Sequence, residues 1–283
     1  MKVVLFCGGN GIKLQEYSER VPKALVPVGK RPMIWHIMKY YAHFGHTDFI
    51  LCLGFKGDMI KDYFIKYKEY LSNDFVLKSG SRINLFEKDI QDWNITFADT
   101  GLSSNIAERL LAVRKYLDNE EKFLVNYSDG LTDLHLPDMT TAFDRSGKVG
   151  MLMVTKPRKN IRIASIEEPR TGVAADVTSV NKLDGVWLNA GYYIFRKEIF
   201  SHIDPEGDLP ELTFPRLVGL NQLVAFPYEG MYITMDTFKE KQTLDDMCDR
   251  GDTPWQVWRG HEFRVSEEVD RSDTLDQLNH SAR

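Results

Sequence analysis

The amino-acid sequence predicts an α/β protein with a doubly wound, mostly parallel sheet and a small antiparallel β annex. Short apolar runs recur through the first 155 residues, and longer segments with helical spacing of apolar residues separate them. Strands buried on both faces have such continuous apolar runs, and they belong to parallel sheets that helices cover. After residue 155, β-branched and aromatic residues alternate with turn signals in "VTSVNKLDGVWLNAGYYIF", which indicates antiparallel strands beside the first sheet. The alternation of strand and helix therefore favours the doubly wound class.

Each element of the first half follows from its local pattern. The predicted strands are the apolar runs at residues 2–6, 48–55, 122–130 and 149–155. The first predicted helix lies within residues 31–45, where apolar side chains recur at helical spacing: Ile34, Ile37, Met38 and Tyr41. Gly45 ends this helix, because glycine readily adopts the left-handed conformation of a helix C-terminus. The second lies within residues 58–71, with the same spacing at Ile60, Phe64, Tyr67 and Leu71.

Length and composition indicate one main domain, residues 1–258, followed by a polar tail at residues 259–283. A chain of 283 residues with 43% hydrophobic residues can bury a sizeable core. The net charge of −5 gives no basic surface for DNA or RNA. No apolar run approaches the ~20 residues that cross a membrane. The three widely spaced cysteines form neither a metal-binding pair nor a disulfide framework, so we expect a soluble cytoplasmic protein.

A glycine-rich turn follows the first predicted strand, in "VVLFCGGNGIKL". The bare backbone of Gly8, Gly9 and Gly11 can surround phosphate oxygens, and Lys13 and Lys23 supply positive charge nearby. The bland alternative is a tight connection from strand to helix. A P-loop is excluded because GxxxxGK[ST] is absent, and the turn lacks the third glycine of a dinucleotide-binding loop.

Two aspartates, Asp129 and Asp236, stand where strands are predicted to end. Ligands of open α/β sheets gather at the carboxyl ends of strands, and Mg²⁺ favours a few carboxylates together with phosphate oxygens. The alternative for either aspartate alone is a turn or the N-cap of a helix. The upstream glycine turn favours the metal.

With these residues in order, the chain resembles the sugar-1-phosphate nucleotidyltransferase family, and most closely its glucose-1-phosphate cytidylyltransferase branch. The resemblance covers residues 1 to about 258. It is carried by these segments: "GGNG", "PKALVPVGKRPMIWHIMKYY", "GFKGDMIKDYF", "WNITFADTG", "SDG", "LNAGYYIF", "MDT" and "TPWQVW". The family fold is a Rossmann-like α/β fold. The resemblance implies a nucleotide-binding half at residues 1–155 and a sugar-binding half with the β annex at residues 156–258.

The resemblance also implies an activity in nucleotide-sugar biosynthesis. An NTP, here CTP, would condense with glucose 1-phosphate or a related phosphorylated metabolite to give an NDP-sugar and pyrophosphate, with Mg²⁺ as the cofactor. The partners are therefore these two small molecules, with no nucleic acid and no membrane. Because the family forms homo-oligomers, a homo-oligomer is expected.

Site residues follow from the resemblance by motif. The nucleotide would be bound by these residues: Gly8, Gly9, Gly11, Lys13, Lys23, Thr100 and Gly101. Within that set, Lys13 would lie beside the triphosphate, Lys23 over the reacting phosphates, and Thr100 and Gly101 at the pyrimidine ring. Lys13, Lys23 and Asp129 would be the catalytic residues, and Asp129 and Asp236 the metal ligands. Three residues would bind the sugar phosphate and the sugar: Arg109, Lys182 and Asn189.

Several departures from the family pattern fall on these motifs. The loop reads Gly9-Asn10-Gly11-Ile12-Lys13-Leu14 where the family has Gly-Xaa-Gly-Thr-Arg-Leu. The family's "GDG" is "SDG" here, its "GGRL" is "AERL", and its "EKP" is Asn181-Lys182-Leu183. Two hypotheses follow. The chain is an enzyme with an unusual phosphorylated substrate, or it is a catalytically weakened homologue that binds nucleotides as a regulatory or scaffolding subunit. The retained lysines and aspartates favour the enzyme.

Overall fold

The structure is a computed structural model that describes residues 1–9, 21–71, 73–80, 82–86, 90–157, 162–168 and 173–259. Two predicted site residues, Gly11 and Lys13, lie outside the described residues, and so does nearly all of the predicted tail. None of the helices in the described ranges is long and apolar enough to cross a membrane.

The chain alternates strands with helices through its first 155 residues. In chain order the strands are β1 (Val3–Phe6), β2 (Pro27–Val28), β3 (Arg31–Pro32), β4 (Asp48–Leu53), β5 (Phe75–Lys78), β6 (Arg82–Leu85), β7 (Asn94–Asp99), β8 (Lys122–Asn126), β9 (Gly130–Thr132), β10 (Gly150–Thr155), β11 (Arg162–Glu168), β12 (Val173–Ser179), β13 (Leu188–Arg196), β14 (Leu223–Tyr228) and β15 (Tyr232–Thr234). The α-helices are α1 (Met33–His43), α2 (Gly57–Ile65), α3 (Ile106–Val113), α4 (Leu136–Ser146), α5 (Phe214–Gly219) and α6 (Phe238–Asp249).

Seven of the strands form one central sheet in the order β14-β10-β13-β8-β1-β4-β7. Neighbours run parallel throughout except at β13, which is antiparallel to both β10 and β8. The prediction of a mostly parallel sheet is confirmed. β13, which the sequence predicts to lie beside this sheet, instead lies within it, between β8 and β10. β11 and β12 form a separate antiparallel ladder, which is the small annex.

Two hydrophobic clusters cover the two faces of this sheet. Alternate residues of β1 point to opposite faces, so Val3 and Leu5 enter one cluster while Val4 and Phe6 enter the other. Side chains of α1, α2, α4 and α6 pack in the first cluster, and those of α3 and α5 in the second. Helices on both faces of a parallel sheet confirm the doubly wound class.

The second predicted helix is shorter than its sequence pattern suggests. α2 ends at Ile65, and only a 3₁₀ turn, Glu69–Leu71, follows it. Ile60 and Phe64 of the predicted apolar stripe are buried, whereas Tyr67, the next residue of the stripe, lies beyond the end of the helix and is only partly buried. Packing of an apolar face against the core contributes more to the stability of a helix than intrinsic propensity does. The helix therefore does not extend through a turn that would bury little apolar surface.

Candidate active site

The carboxyl ends of β1 and β8 lie side by side in the sheet. From β1 the strand order continues to β4 and β7 on one side and to β8 on the other, which makes this the topological switch point. Loops diverge at such a point and leave a crevice in which ligands bind. Gly8 and Gly9 follow β1 there, and the turn with Asp129 follows β8.

Lys23 joins the two aspartates at this crevice. Its ammonium Nζ lies 3.0 Å from Asp129 Oδ2 and 2.6 Å from Asp236 Oδ1. The two carboxylate oxygens are therefore no farther apart than the sum of these distances. The three side chains are 20%, 24% and 29% exposed, so each of them remains partly accessible to solvent.

A short antiparallel ladder brings the two aspartates together although they are far apart in sequence. β9 pairs with β15, and Gly130 lies opposite Thr234. One residue further, the backbone N–H of Met235 donates to the carbonyl of Asp129 at 2.9 Å. Asp236 is the next residue along the chain, so its side chain emerges beside that of Asp129.

The turn before Asp129 depends on a buried asparagine. Asn126 Oδ1 accepts the backbone N–H of Ser128 at 2.7 Å, an Asx-type turn that ends β8. Ser128 has a φ of +61°, in the left-handed region, and it is 2% exposed. Its hydroxyl lies 3.6 Å from the thiol Sγ of the buried Cys7. The position where the family has glycine thus keeps a backbone conformation that glycine adopts without strain.

The close charges of Lys23, Asp129 and Asp236 shift the pKa values of Lys23 and Asp129. Burial disfavours the Lys23 ammonium, but the carboxylates of Asp129 and Asp236 outweigh it and raise the pKa of Lys23 above its ordinary value. Burial also raises the pKa of Asp129, and Lys23 only partly opposes this increase. Because burial disfavours the ionised form of Asp129, a further positive charge nearby would stabilise that form.

A buried arginine supports the glycine turn. The guanidinium of Arg109 on α3 donates to the carbonyl of Gly8 at 3.3 Å, to the carbonyl of Leu53 at 3.2 Å and to Thr100 Oγ1 at 2.7 Å. Arg109 is 3% exposed. A Cβ on Gly8 would lie 2.2 Å from the nearest guanidinium nitrogen, so the close contact requires glycine. Arg109 thereby joins the carboxyl ends of β1, β4 and β7.

The predicted pyrimidine-binding residues follow β7. The hydroxyl of Thr100 donates to the carbonyl of Leu53 at 2.8 Å and is buried. Gly101 is exposed, with a φ of +94°, and its N–H donates to Asp99 Oδ1 at 3.1 Å. Of the two, Gly101 presents its backbone to the surroundings.

Glu108, which replaces a family glycine beside Arg109, has a structural partner. Its carboxylate accepts the N–H of Asn105 at 2.8 Å, and Asn105 Oδ1 accepts the N–H of Glu108 at 2.8 Å. This reciprocal pair is a capping box at the start of α3. The acidic side chain therefore stabilises the helix N-terminus.

The two remaining predicted substrate residues come from the second half of the chain. Lys182 is exposed in a 3₁₀ turn, Val180–Lys182. Asn189 on β13 donates to the hydroxyl of Tyr193 at 2.7 Å and accepts the N–H of Gly191 at 3.0 Å. These bonds fix the orientation of the Asn189 amide.

The sequence model of the nucleotidyl transferase family matches residues 2–212. The chain belongs to this family. Among curated relatives, the glucose-1-phosphate cytidylyltransferase of Salmonella typhimurium is 33% identical over 259 residues, which cover 91% of this chain and all of that protein. The mannose-1-phosphate guanyltransferase of Gibberella zeae is 28% identical over 252 residues, 88% of this chain and 64% of that protein.

Solved structures show the same fold. UDP-glucose pyrophosphorylase in complex with UDP-glucose superimposes with a TM-score of 0.66 at 15% identity, over 88% of this chain and 98% of that one. The Rossmann-like nucleotidyltransferase fold expected from the sequence is confirmed.

Two residues that shape the site of this nucleotidyl transferase were not predicted. Asn126 holds the turn before Asp129, and Glu240 accepts the backbone N–H of Asp236 at 2.9 Å. Thr237 and Glu240 do form a recognisable capping-box pattern in the sequence, three residues apart. Among the described residues, no group of three or more His, Cys, Asp or Glu side chains is arranged for a metal ion.

Proposed function

We propose that this nucleotidyl transferase condenses CTP with a sugar 1-phosphate, glucose 1-phosphate or a close relative, and releases pyrophosphate. The observation that carries the proposal is the convergence of Asp129, Asp236 and Lys23 beside Gly8 and Gly9 at the switch point of the sheet. The 33% identity to a glucose-1-phosphate cytidylyltransferase supports the choice of substrates.

In the proposed reaction a phosphate oxygen of the sugar 1-phosphate attacks the α-phosphorus of the nucleotide. The new P–O bond forms as the bond to the departing pyrophosphate breaks, and no protein nucleophile takes part. The difficulty is that two anions must meet while negative charge grows on the leaving group. Lys23, with an ammonium that its raised pKa keeps protonated, would neutralise that charge, and the glycine turn would hold the nucleotide in place.

Asp129 and Asp236 suit a divalent cation. Their carboxylates already share one cation, the Lys23 ammonium, and hard oxygen donors are the ligands that Mg²⁺ prefers. When bound, Mg²⁺ would be held by these two carboxylates and would neutralise phosphate charge.

The sugar phosphate would be bound by Arg109, Lys182 and Asn189. A guanidinium has five N–H donors, and Arg109 directs three hydrogen bonds to protein oxygens, so two donors remain for a phosphate.

The proposed nucleotide-binding half, residues 1–155, contributes Gly8, Lys23 and Asp129 to the site. The proposed sugar-binding half, residues 156–258, contributes Lys182, Asn189 and Asp236.

A second copy of the chain is a proposed partner. The two-stranded ribbon of β5 and β6 exposes apolar side chains: Phe75, Val76, Leu77 and Ile83. Two strands alone are marginally stable in water, so contact with another protein surface would stabilise the ribbon. We propose a cytoplasmic homo-oligomer. Leu77→Asp should lower the mass measured by light scattering, whereas an unchanged mass would rule out this ribbon as the contact.

Pyrophosphate release tests the proposal directly. CTP, UTP, dTTP, GTP and ATP are each combined with a panel of sugar 1-phosphates, and release is expected with CTP and glucose 1-phosphate or a related sugar. If nucleotide binds by calorimetry but no pair releases pyrophosphate, the chain is instead a weakened homologue that acts through binding.

The departure of the loop from the family pattern permits a second test. Isoleucine lacks the threonine hydroxyl, and lysine lacks the bidentate fork of arginine. The double variant Ile12→Thr with Lys13→Arg restores the family residues. An increase in turnover of glucose 1-phosphate would show that the natural loop tunes rate or substrate, while an unchanged profile would show that it does neither.

A further inference from the structure

Glu240 lies in the first turn of α6, and its carboxylate reaches back to the residue before the helix cap. We propose that Glu240 is a positioning residue, which fixes the backbone of Asp236 so that the Asp236 carboxylate faces Asp129. The inference rests on the proposed function, in which these two aspartates hold a divalent cation.

The contacts of Glu240 join three parts of the chain. Oε2 accepts the backbone N–H of Asp236 at 2.9 Å, the backbone N–H of Thr237 at 2.9 Å and the hydroxyl of Thr237 at 3.1 Å. Oε1 accepts the hydroxyl of Thr234, at the end of β15, at 3.4 Å. One carboxylate thus links the strand, the aspartate and the helix.

The bond to Asp236 is more than a helix cap requires. A capping box satisfies the N–H groups of the N-cap and of the third helical residue, here Thr237 and Glu240. Asp236 precedes the N-cap, so its N–H is not one of the donors of the helix start. Together with the bond from Met235 N–H to the Asp129 carbonyl, Glu240 holds the backbone on both sides of the Met235–Asp236 peptide.

The expected consequence is an effect on metal affinity. Hydrogen bonds from N–H groups to a carboxylate are among the stronger ones in proteins. Residues that orient a metal ligand typically change metal affinity by about 10–100-fold when they are removed. Glu240→Ala removes the acceptor of the Asp236 N–H, so the backbone of Asp236 is less firmly held and its carboxylate is directed towards Asp129 by the Lys23 ammonium without that support.

Thr237→Ala provides a matched control. It removes the other half of the same capping box and the hydroxyl bond to Glu240 Oε2, but it leaves the bond from the Asp236 N–H to the Glu240 carboxylate in place. Both variants loosen the start of α6, so a merely structural role would affect them alike. Glu240→Gln keeps an acceptor oxygen without the charge, and it should rescue part of the loss and retain the fold.

Three measurements on the full-length protein decide the proposal. Mn²⁺ alone is titrated by electron paramagnetic resonance, and Glu240→Ala should bind it at least ~10-fold more weakly, while Thr237→Ala stays within about twofold of the natural protein. The Mg²⁺ concentration that half-saturates turnover should rise in Glu240→Ala, with the KM for glucose 1-phosphate unchanged. Hydrogen exchange at the Asp236 amide should accelerate in Glu240→Ala only.

Equal effects of Glu240→Ala and Thr237→Ala, or no effect of Glu240→Ala, would overturn the proposal. Its failure can be told apart from a failure of the proposed metal site. If Asp236→Asn binds Mn²⁺ as well as the natural protein, the metal assignment is wrong. The exchange rate of the Asp236 amide then decides by itself whether Glu240 holds this backbone.

Discussion

Replacing Gly8 by alanine should destabilise the protein through a single side chain, Arg109. The new Cβ would lie 2.2 Å from one guanidinium nitrogen and 2.6 Å from Cζ, far inside contact distance. The guanidinium is buried and makes three hydrogen bonds to protein oxygens, so it cannot move aside without losing some of them. Bonds of a charged group contribute about 1.5–3 kcal/mol each, and the loss of one or two gives an expected cost of about 3 kcal/mol.

The free energy of unfolding in urea measures this cost, and a double-mutant cycle identifies its cause. In an Arg109→Met background the clash is removed, so Gly8→Ala should cost less than about 1 kcal/mol, a coupling of about 2 kcal/mol. Gly9→Ala is the matched control: a Cβ there meets no atom of the described residues within 4 Å, and the expected change is within about 0.5 kcal/mol. An equal cost of Gly8→Ala in both backgrounds would refute the reasoning.

Three further predictions concern ionisable side chains. Asp129→Asn should lower pyrophosphate release at least ~100-fold with an unchanged circular dichroism spectrum; near-normal turnover would remove Asp129 from the catalytic group. The pKa of Lys23 is raised, so its stabilising charge is fully present below pH 10.5 and is lost as the pH rises through the folded-state value. From neutral pH upwards, the difference in unfolding free energy between the natural protein and Lys23→Met should therefore begin to shrink only above pH 10.5. Burial lowers the pKa of His36 from 6.5 to about 4, so the neutral ring stabilises the fold above pH 6.5, and that stability, roughly 3 kcal/mol, is lost as the pH falls towards 4. His36→Gln should be less sensitive to acid over this interval, and an identical pH profile would contradict the assignment.

The sequence was a good guide wherever structure depends on local pattern. The apolar runs at residues 2–6 and 48–55 are β1 and β4, and the helical spacing before Gly45 is α1. The position of β13 between β8 and β10 could not be predicted from its own residues, because strand pairing over such a distance depends on the whole sheet. Nor could the pattern show that α2 ends at Ile65, since the direction of a side chain towards the core is a tertiary property.

In the candidate site, too, the sequence predicts what depends on local pattern and does not predict what depends on tertiary contacts. The sequence placed Asp129 and Asp236 after predicted strands, and in the structure both contact Lys23. The role of Arg109 in supporting Gly8 was not visible, because three strand ends meet at its guanidinium only in the folded chain. The Thr237–Glu240 pattern was visible as a helix start, but its bond to Asp236 depends on the local path of the backbone.

The position of β13 in the central sheet has a consequence for folding during synthesis. β10 ends at residue 155, yet both of its neighbours, β13 and β14, lie beyond residue 187. During synthesis, one edge of β8 and both edges of β10 therefore remain unpaired until β13 and β14 have been synthesised. The first 155 residues are therefore not a self-sufficient folding unit, and premature termination there would leave bare strand edges open to aggregation.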